Sequence, residues 1–246
     1  MIAPDDKTPE AHEDLTIKRI GAFKEVSPFV KPREASSEVI LQRVGKNLLR
    51  RDYAVSIAST LKDAADLVMT SILPESGAKT VSFGGSMTVR QAGLLEALKA
   101  RPELTVLDTF DASIGAGPML ELRRQALLCD LFLCSVNAMT RDGELLLVDG
   151  LGNRTAAVQY GPRKVVLLVG RNKICASRAS AEEYIKGIAA PSNATRLSKN
   201  TPCVKTGYCM DCNSPERICA YWTILQLCRP QAGRIHVILI DEEVGF

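Results

Sequence analysis

The sequence predicts an α/β fold, a mainly parallel sheet with helices on both faces. Three observations point there. Residues 131–135, 165–169 and 234–240 are nearly continuous apolar runs, the pattern of strands covered on both sides. Segments of helix length separate the strand candidates. Glycine-bearing turns follow several strand candidates, where such a sheet gathers its loops.

Residues 1–35 are polar and carry Pro4, Pro9, Pro28 and Pro32, so they are expected to be an arm outside the domain at 36–246. A helical pattern begins at Ser37. Ile57, Leu61, Ala64, Ala65, Val68, Met69 and Ile72 then form the stripe of one amphipathic helix, ended by Pro74 and Gly77. Residues 79–83 read as a strand, followed by Gly84-Gly85-Ser86 and a helix to about Leu98. A second strand at 104–107 leads through the loop 108–117 into a helix ending at Leu128. Residues 144–148 read as a strand and 153–159 as a short helix. A helix over 181–189 stops before Pro191, and a cysteine-rich insertion at 190–220 caps one end of the sheet. Ile218, Trp222 and Leu225 are expected on one face of a further helix before the last strand.

Bulk properties narrow the function. Of 246 residues, 46% are hydrophobic and 24% charged, the balance of a soluble globular chain. A net charge of +3 argues against nucleic acid as a partner. No run reaches the roughly 20 apolar residues of a membrane span. Asp5, Asp6, Glu10, Glu13 and Asp14 give the N-terminus no signal-peptide character, so a cytoplasmic location is expected. Eight cysteines in that setting read as reduced thiols, metal ligands or buried apolar residues.

Three loops carry polar groups suited to a small anionic ligand. In the first, Gly84 and Gly85 allow close backbone approach, and Ser86 and Thr88 open a helix. The second holds Asn137, Thr140, Asp142, Gly143 and Glu144; the third holds Gly152, Asn153 and Arg154, with Asn153 as a natural N-cap. A hairpin turn and a helix cap account for much of this pattern structurally. With only His12 and His236 present, and His236 inside a strand as a core residue, acid–base chemistry falls to Glu144 and Asp142. Cys129 and Cys134 read as small core hydrophobes, and Arg50-Arg51 and Arg123-Arg124 as solvated helix faces.

Cys203, Cys209, Cys212 and Cys219 follow the spacing C-x5-C-x2-C-x6-C. Such thiols can hold zinc or an iron–sulfur cluster, exchange disulfides, or do none of these. The spacing matches neither a standard zinc ribbon nor a standard ferredoxin.

Val81-Ser-Phe-Gly-Gly-Ser-Met-Thr88, Leu131-Phe-Leu-Cys-Ser-Val-Asn-Ala138, Asp149-Gly-Leu-Gly-Asn-Arg154 and Gly161-Pro-Arg-Lys-Val-Val-Leu-Leu-Val-Gly170 together resemble the lactate-utilisation (LUD) domain family. Thr206-Gly-Tyr-Cys-Met-Asp-Cys-Asn-Ser-Pro-Glu-Arg-Ile-Cys219 and the ending Gly233-Arg-Ile-His-Val-Ile-Leu-Ile240 resemble a cysteine-bearing branch of it. The resemblance implies a sheet similar to that of ribose-phosphate isomerases and CoA transferases. It also implies an accessory or redox role in oxidising lactate to pyruvate, alongside other lactate-utilisation subunits. Two alternatives stand beside it: a stand-alone isomerase or CoA/acyl-transferase-like enzyme using Glu144, and a non-catalytic sensor or scaffold with structural zinc. The chain lacks the C-x2-C-x2-C-x3-C-P run of cluster-carrying subunits, so their electron wiring does not carry over.

Overall fold

The computed structural model describes residues 17–20 and 31–246. The expectations for His12, the acidic N-terminus and most of the arm lie outside the described residues. Within the arm, Lys18–Ile20 forms strand β1, and the first long helix starts at Lys31 rather than Ser37.

The remaining strands are β2 (Ala54–Ala58), β3 (Thr80–Phe83), β4 (Thr105–Leu107), β5 (Leu131–Cys134), β6 (Ala138–Thr140), β7 (Leu145–Asp149), β8 (Lys164–Gly170), β9 (Ile174–Cys175), β10 (Tyr221–Leu225) and β11 (Ile235–Ile240). Seven of them form one sheet in the order β1-β2-β11-β8-β5-β3-β4, with every pair parallel. Four form a second sheet, β10-β7-β6-β9, in which β7 runs antiparallel to both neighbours.

Period-two alternation divides the central strands between two cores. Val165, Leu167, Val169, Val237 and Leu239 face Leu41, Val44 and Leu48 of the helix Lys31–Leu49. Val166, Leu168, Ile238 and Ile240 face the opposite way, against Leu67, Val68, Ile72, Leu94 and Leu98. Helices thus cover both faces, which is why these strands read as unbroken apolar runs. Each fully buried leucine or valine here contributes about 1.5–3 kcal/mol. A third cluster (Leu146, Val148, Ala181, Ile185) packs the outer face of the second sheet.

Four expectations are corrected. Ile57 belongs to β2, not to the helix that follows; that helix begins at Leu61, capped by Thr60, whose side chain accepts from Asp63 N. Pro74 does not end it. A π-turn at Val68–Ile72 precedes the proline, and the helix stops at Gly77 in the left-handed conformation (φ 61°). Likewise Pro191 does not stop the helix before it, because Ile185–Ala189 is a second π-turn and helix continues over Ala190–Arg196. Tyr221–Leu225, expected as helix, is a strand paired in register with Asp149–Leu145.

Candidate functional site

The carboxyl ends of β3, β5 and β8 lie side by side, and the segments leaving them build the floor of a pocket of about 650 Å³. From β3 comes the Gly84–Ser86 turn. Gly84 N donates to Leu133 O, which holds the turn against β5. A Cβ on Gly84 would come within 2.8 Å of Arg154 Cγ and 2.9 Å of Cys134 Cβ, so only glycine fits there. Ser86 caps the helix Met87–Gln91 by accepting from Val89 N, and with Gly85 it opens onto the pocket.

The third loop is organised by a buried ion pair. Arg154 Nε meets Asp149 Oδ1 at 3.0 Å, and its other nitrogens donate to Asn137 Oδ1 (2.6 Å), Val148 O (2.8 Å) and Ser135 O (3.2 Å). Asp149 Oδ2 accepts from Thr155 N, so Asp149 satisfies the first turn of the helix Asn153–Gln159. Gly152, at φ 79°, is the N-cap residue where Asn153 was expected. Asn153 is thereby left to line the pocket, as do Asn137 and Arg154.

Four cations around this hollow have no carboxylate partner among the described residues. Arg90 stacks over Phe110 at 5.5 Å, Arg196 donates to Asn193 Oδ1, and the side chains of Arg123 and Lys199 form no ion pair among the described residues. Partial burial first, and then the charge of Arg90, push Arg196 below its ordinary value, so the two guanidiniums repel one another. The side-chain carboxylates lining the pocket are engaged: Asp149 with Arg154, and Glu216 with Asn200 N. Arg123 is therefore part of the pocket wall as well as of a helix face.

Sequence reasoning missed Lys173, in the 3-10 turn after β8. It is buried (3% exposed) on the pocket floor, with Nζ 2.9 Å from Ser135 Oγ and 3.1 Å from Thr88 Oγ1. Burial first, then Arg154, bring its amine down to about 7. The available signal was its position just after an apolar parallel strand, where such a sheet places ligand groups.

The predicted residues divide accordingly. Gly85, Ser86, Asn137, Asn153 and Arg154 line the pocket. Gly84 and Thr88 support it from behind, and Gly152 packs against the Tyr221 ring. Gly143, Asp142 and Glu144 lie elsewhere, in the turn joining β6 to β7. There Asp142 O accepts from Arg51, just before β2, at the amino end of the parallel sheet. Glu144 is bound to Arg178 and Gln226, and the Arg178 hydrogen bond, set against some burial, holds its carboxyl below the usual range. A carboxylate so engaged, at the wrong end of the sheet, is not the base of this pocket. Arg51 is correspondingly tied to Asp142 O and Gln226 O rather than lying on a solvated face.

Cys203, Cys209, Cys212 and Cys219 all border one small, mainly apolar pocket with about 10 Å³ of free space. Arg217 ties the segment together, donating to Cys212 O (2.6 Å), Cys219 O (3.3 Å) and Asp211 Oδ1 (3.0 Å). Burial pushes the Cys219 thiol up, with Cys209 and Cys212 adding to the shift. Even so, no group of three or more His, Cys, Asp and Glu residues is placed to hold a metal ion among the described residues. Arg217 and Ile218 border both this pocket and the larger one. Cys129 and Cys134 are buried in the core, as expected, and His236 is a core histidine bonded to Ser56 Oγ at 2.9 Å.

A parallel sheet flanked by helices, with a hollow at its carboxyl edge, defines the class: an α/β domain of Rossmann-like architecture. The LUD domain family matches residues 41–240, and the chain belongs to that family. That membership suggests a function related to lactate utilisation. Comparison with curated proteins gives no match. Among solved structures, a DUF162 family protein from Deinococcus radiodurans is similar at 14% identity and a TM-score of 0.43, over 83% of this chain and 98% of that one. No helix among the described residues is long and apolar enough to cross a membrane.

Proposed function

We propose that this chain is an accessory or redox component of lactate oxidation to pyruvate and binds a small anionic ligand in the pocket beside the Gly84–Ser86 turn. The observation carrying the reading is the ring of Arg90, Arg123, Arg196 and Lys199, cations without carboxylate partners around one hollow. Grouping like charges is unfavourable unless an anion joins them, and a partly enclosed cleft strengthens the attraction. Calorimetric titration with pyruvate, lactate, oxalate and inorganic phosphate tests the binding. The double variant Arg123→Ala/Arg196→Ala should lose at least about tenfold in affinity for the bound anion, with a weaker salt dependence. Unchanged affinity sinks the pocket assignment. Deleting the gene in its host should slow growth on lactate; normal growth sinks the metabolic role.

A second, separate proposal concerns the four thiols, which border one pocket but are not grouped as metal ligands among the described residues: binding a soft metal there would have to draw them together. Metal analysis of anaerobically purified protein should find bound metal that disappears in Cys209→Ser/Cys212→Ser. Metal-free protein after reconstitution with zinc or iron and sulfide ends that reading.

A further inference from the structure

Lys173 is used by neither proposal, yet its surroundings are specific. The side chain leaves the end of β8 and brings Nζ to two hydroxyls, Ser135 Oγ from the end of β5 and Thr88 Oγ1 from the helix after β3. Each hydroxyl has a backbone carbonyl toward which it can turn its own hydrogen, Val136 O at 3.3 Å from Ser135 Oγ and Val244 O at 3.4 Å from Thr88 Oγ1, both long contacts. Their lone pairs are thus free to accept from Nζ. A neutral amine has two N–H hydrogens and one lone pair. Two acceptors satisfy it and leave the lone pair for the pocket. An ammonium would find only these two protein acceptors, and no carboxylate pairs with Lys173 among the described residues. Gly245 backs the amine, since a Cβ there would sit 3.0 Å from Nζ.

We propose that Lys173 forms a Schiff base with the carbonyl group of a ligand seated in this pocket, which makes 2-oxo acids of the pyruvate type its substrate class. The proposal rests on the anion-pocket reading: the rim cations hold the carboxylate while the carbonyl reaches the floor. The Nζ lone pair attacks the carbonyl carbon, and the π pair moves to oxygen, which takes up a proton. The nitrogen loses one proton to the neighbouring hydroxyls and solvent. The carbinolamine hydroxyl then takes up a proton from solvent and leaves as water while the nitrogen lone pair forms the C=N bond, giving the protonated imine. In the ligand-free protein, burial and the Arg154 charge hold the amine near neutrality at physiological pH, which makes the attack feasible.

The full chain is incubated with pyruvate and cyanoborohydride, a hydride donor that reduces C=N to a stable secondary amine, and digested for peptide mass spectrometry. A reduced pyruvyl adduct on Lys173 is expected. It should saturate with pyruvate, fall on addition of oxalate, and far exceed labelling of the partly exposed Lys199 in the same digest. Lys173→Met should abolish it, with a thermal melt confirming the fold; the comparison with Lys199 within wild-type protein holds even if the variant does not fold. Calorimetric binding of pyruvate without an adduct on Lys173 overturns the covalent step and leaves the pocket standing. Labelling confined to exposed lysines does the same. Neither binding nor adduct overturns both.

Discussion

Replacing Asp149 with alanine tests the element on which the pocket's shape depends. Arg154 and Asp149 are 8% and 9% exposed, and the guanidinium is surrounded by Ser135 O, Val148 O and Asn137 Oδ1, all neutral groups. Asp149→Ala leaves that charge buried without its counter-ion and removes the acceptor for Thr155 N. Breaking a buried pair from one side costs about 3–5 kcal/mol. At roughly 2–4 °C per kcal/mol for a chain of this size, the melting temperature should fall by about 6–20 °C. Asp149→Ala/Arg154→Met removes both charges, so its loss should be clearly smaller than the sum of the two single losses. Urea unfolding followed by circular dichroism gives all three values. A loss below about 1 kcal/mol for Asp149→Ala, or simple additivity in the double variant, would refute the claim that the pair organises this loop.

Gly84→Ala should destabilise by about 1–3 kcal/mol through overpacking on Arg154 and Cys134, and should weaken anion binding; urea melts and calorimetry read the two effects. His236 has its ring pushed down to about 3, chiefly by burial and then by Lys164. The unfolded chain therefore takes up this proton first, and stability should fall as pH drops from about 6.5 toward 3. At pH 5 the loss is about 2 kcal/mol, and His236→Gln should remove that part of the pH dependence in urea melts at pH 7.5 and 5. Glu144→Gln should leave anion affinity and pyruvate trapping at wild-type levels; a large loss of either would return this carboxylate to the site.

Sheet strands were legible wherever burial on both faces removes alternation, as in β5, β8 and β11. β2 was hidden because Ile57 falls in helical phase with Leu61, Ala64 and Val68, although a turn separates them. The same coincidence at Ile218, Trp222 and Leu225 concealed β10, despite its aromatic and β-branched run Tyr-Trp-Thr-Ile. Pro74 and Pro191 misled because π-turns shift the hydrogen bonding where each proline enters. The loop glycines and Asn153 could be found from turn chemistry. Lys173 offered only its place after an apolar parallel strand, a signal easily passed over because a lysine looks solvated until folding brings Ser135 and Thr88 to it. Glu144 failed for the opposite reason: adjacency to a buried strand says nothing about which end of the sheet the chain has reached.

Arg217 and Ile218 stand between the thiol-lined hollow and the large cationic one, and the backbone at Ile218 lies 3.2 Å from where a side chain on Gly150 would begin. Both hollows therefore share part of one wall, and a change of shape on the sulfur side that moves Arg217 or Ile218 also moves the lining of the cationic chamber.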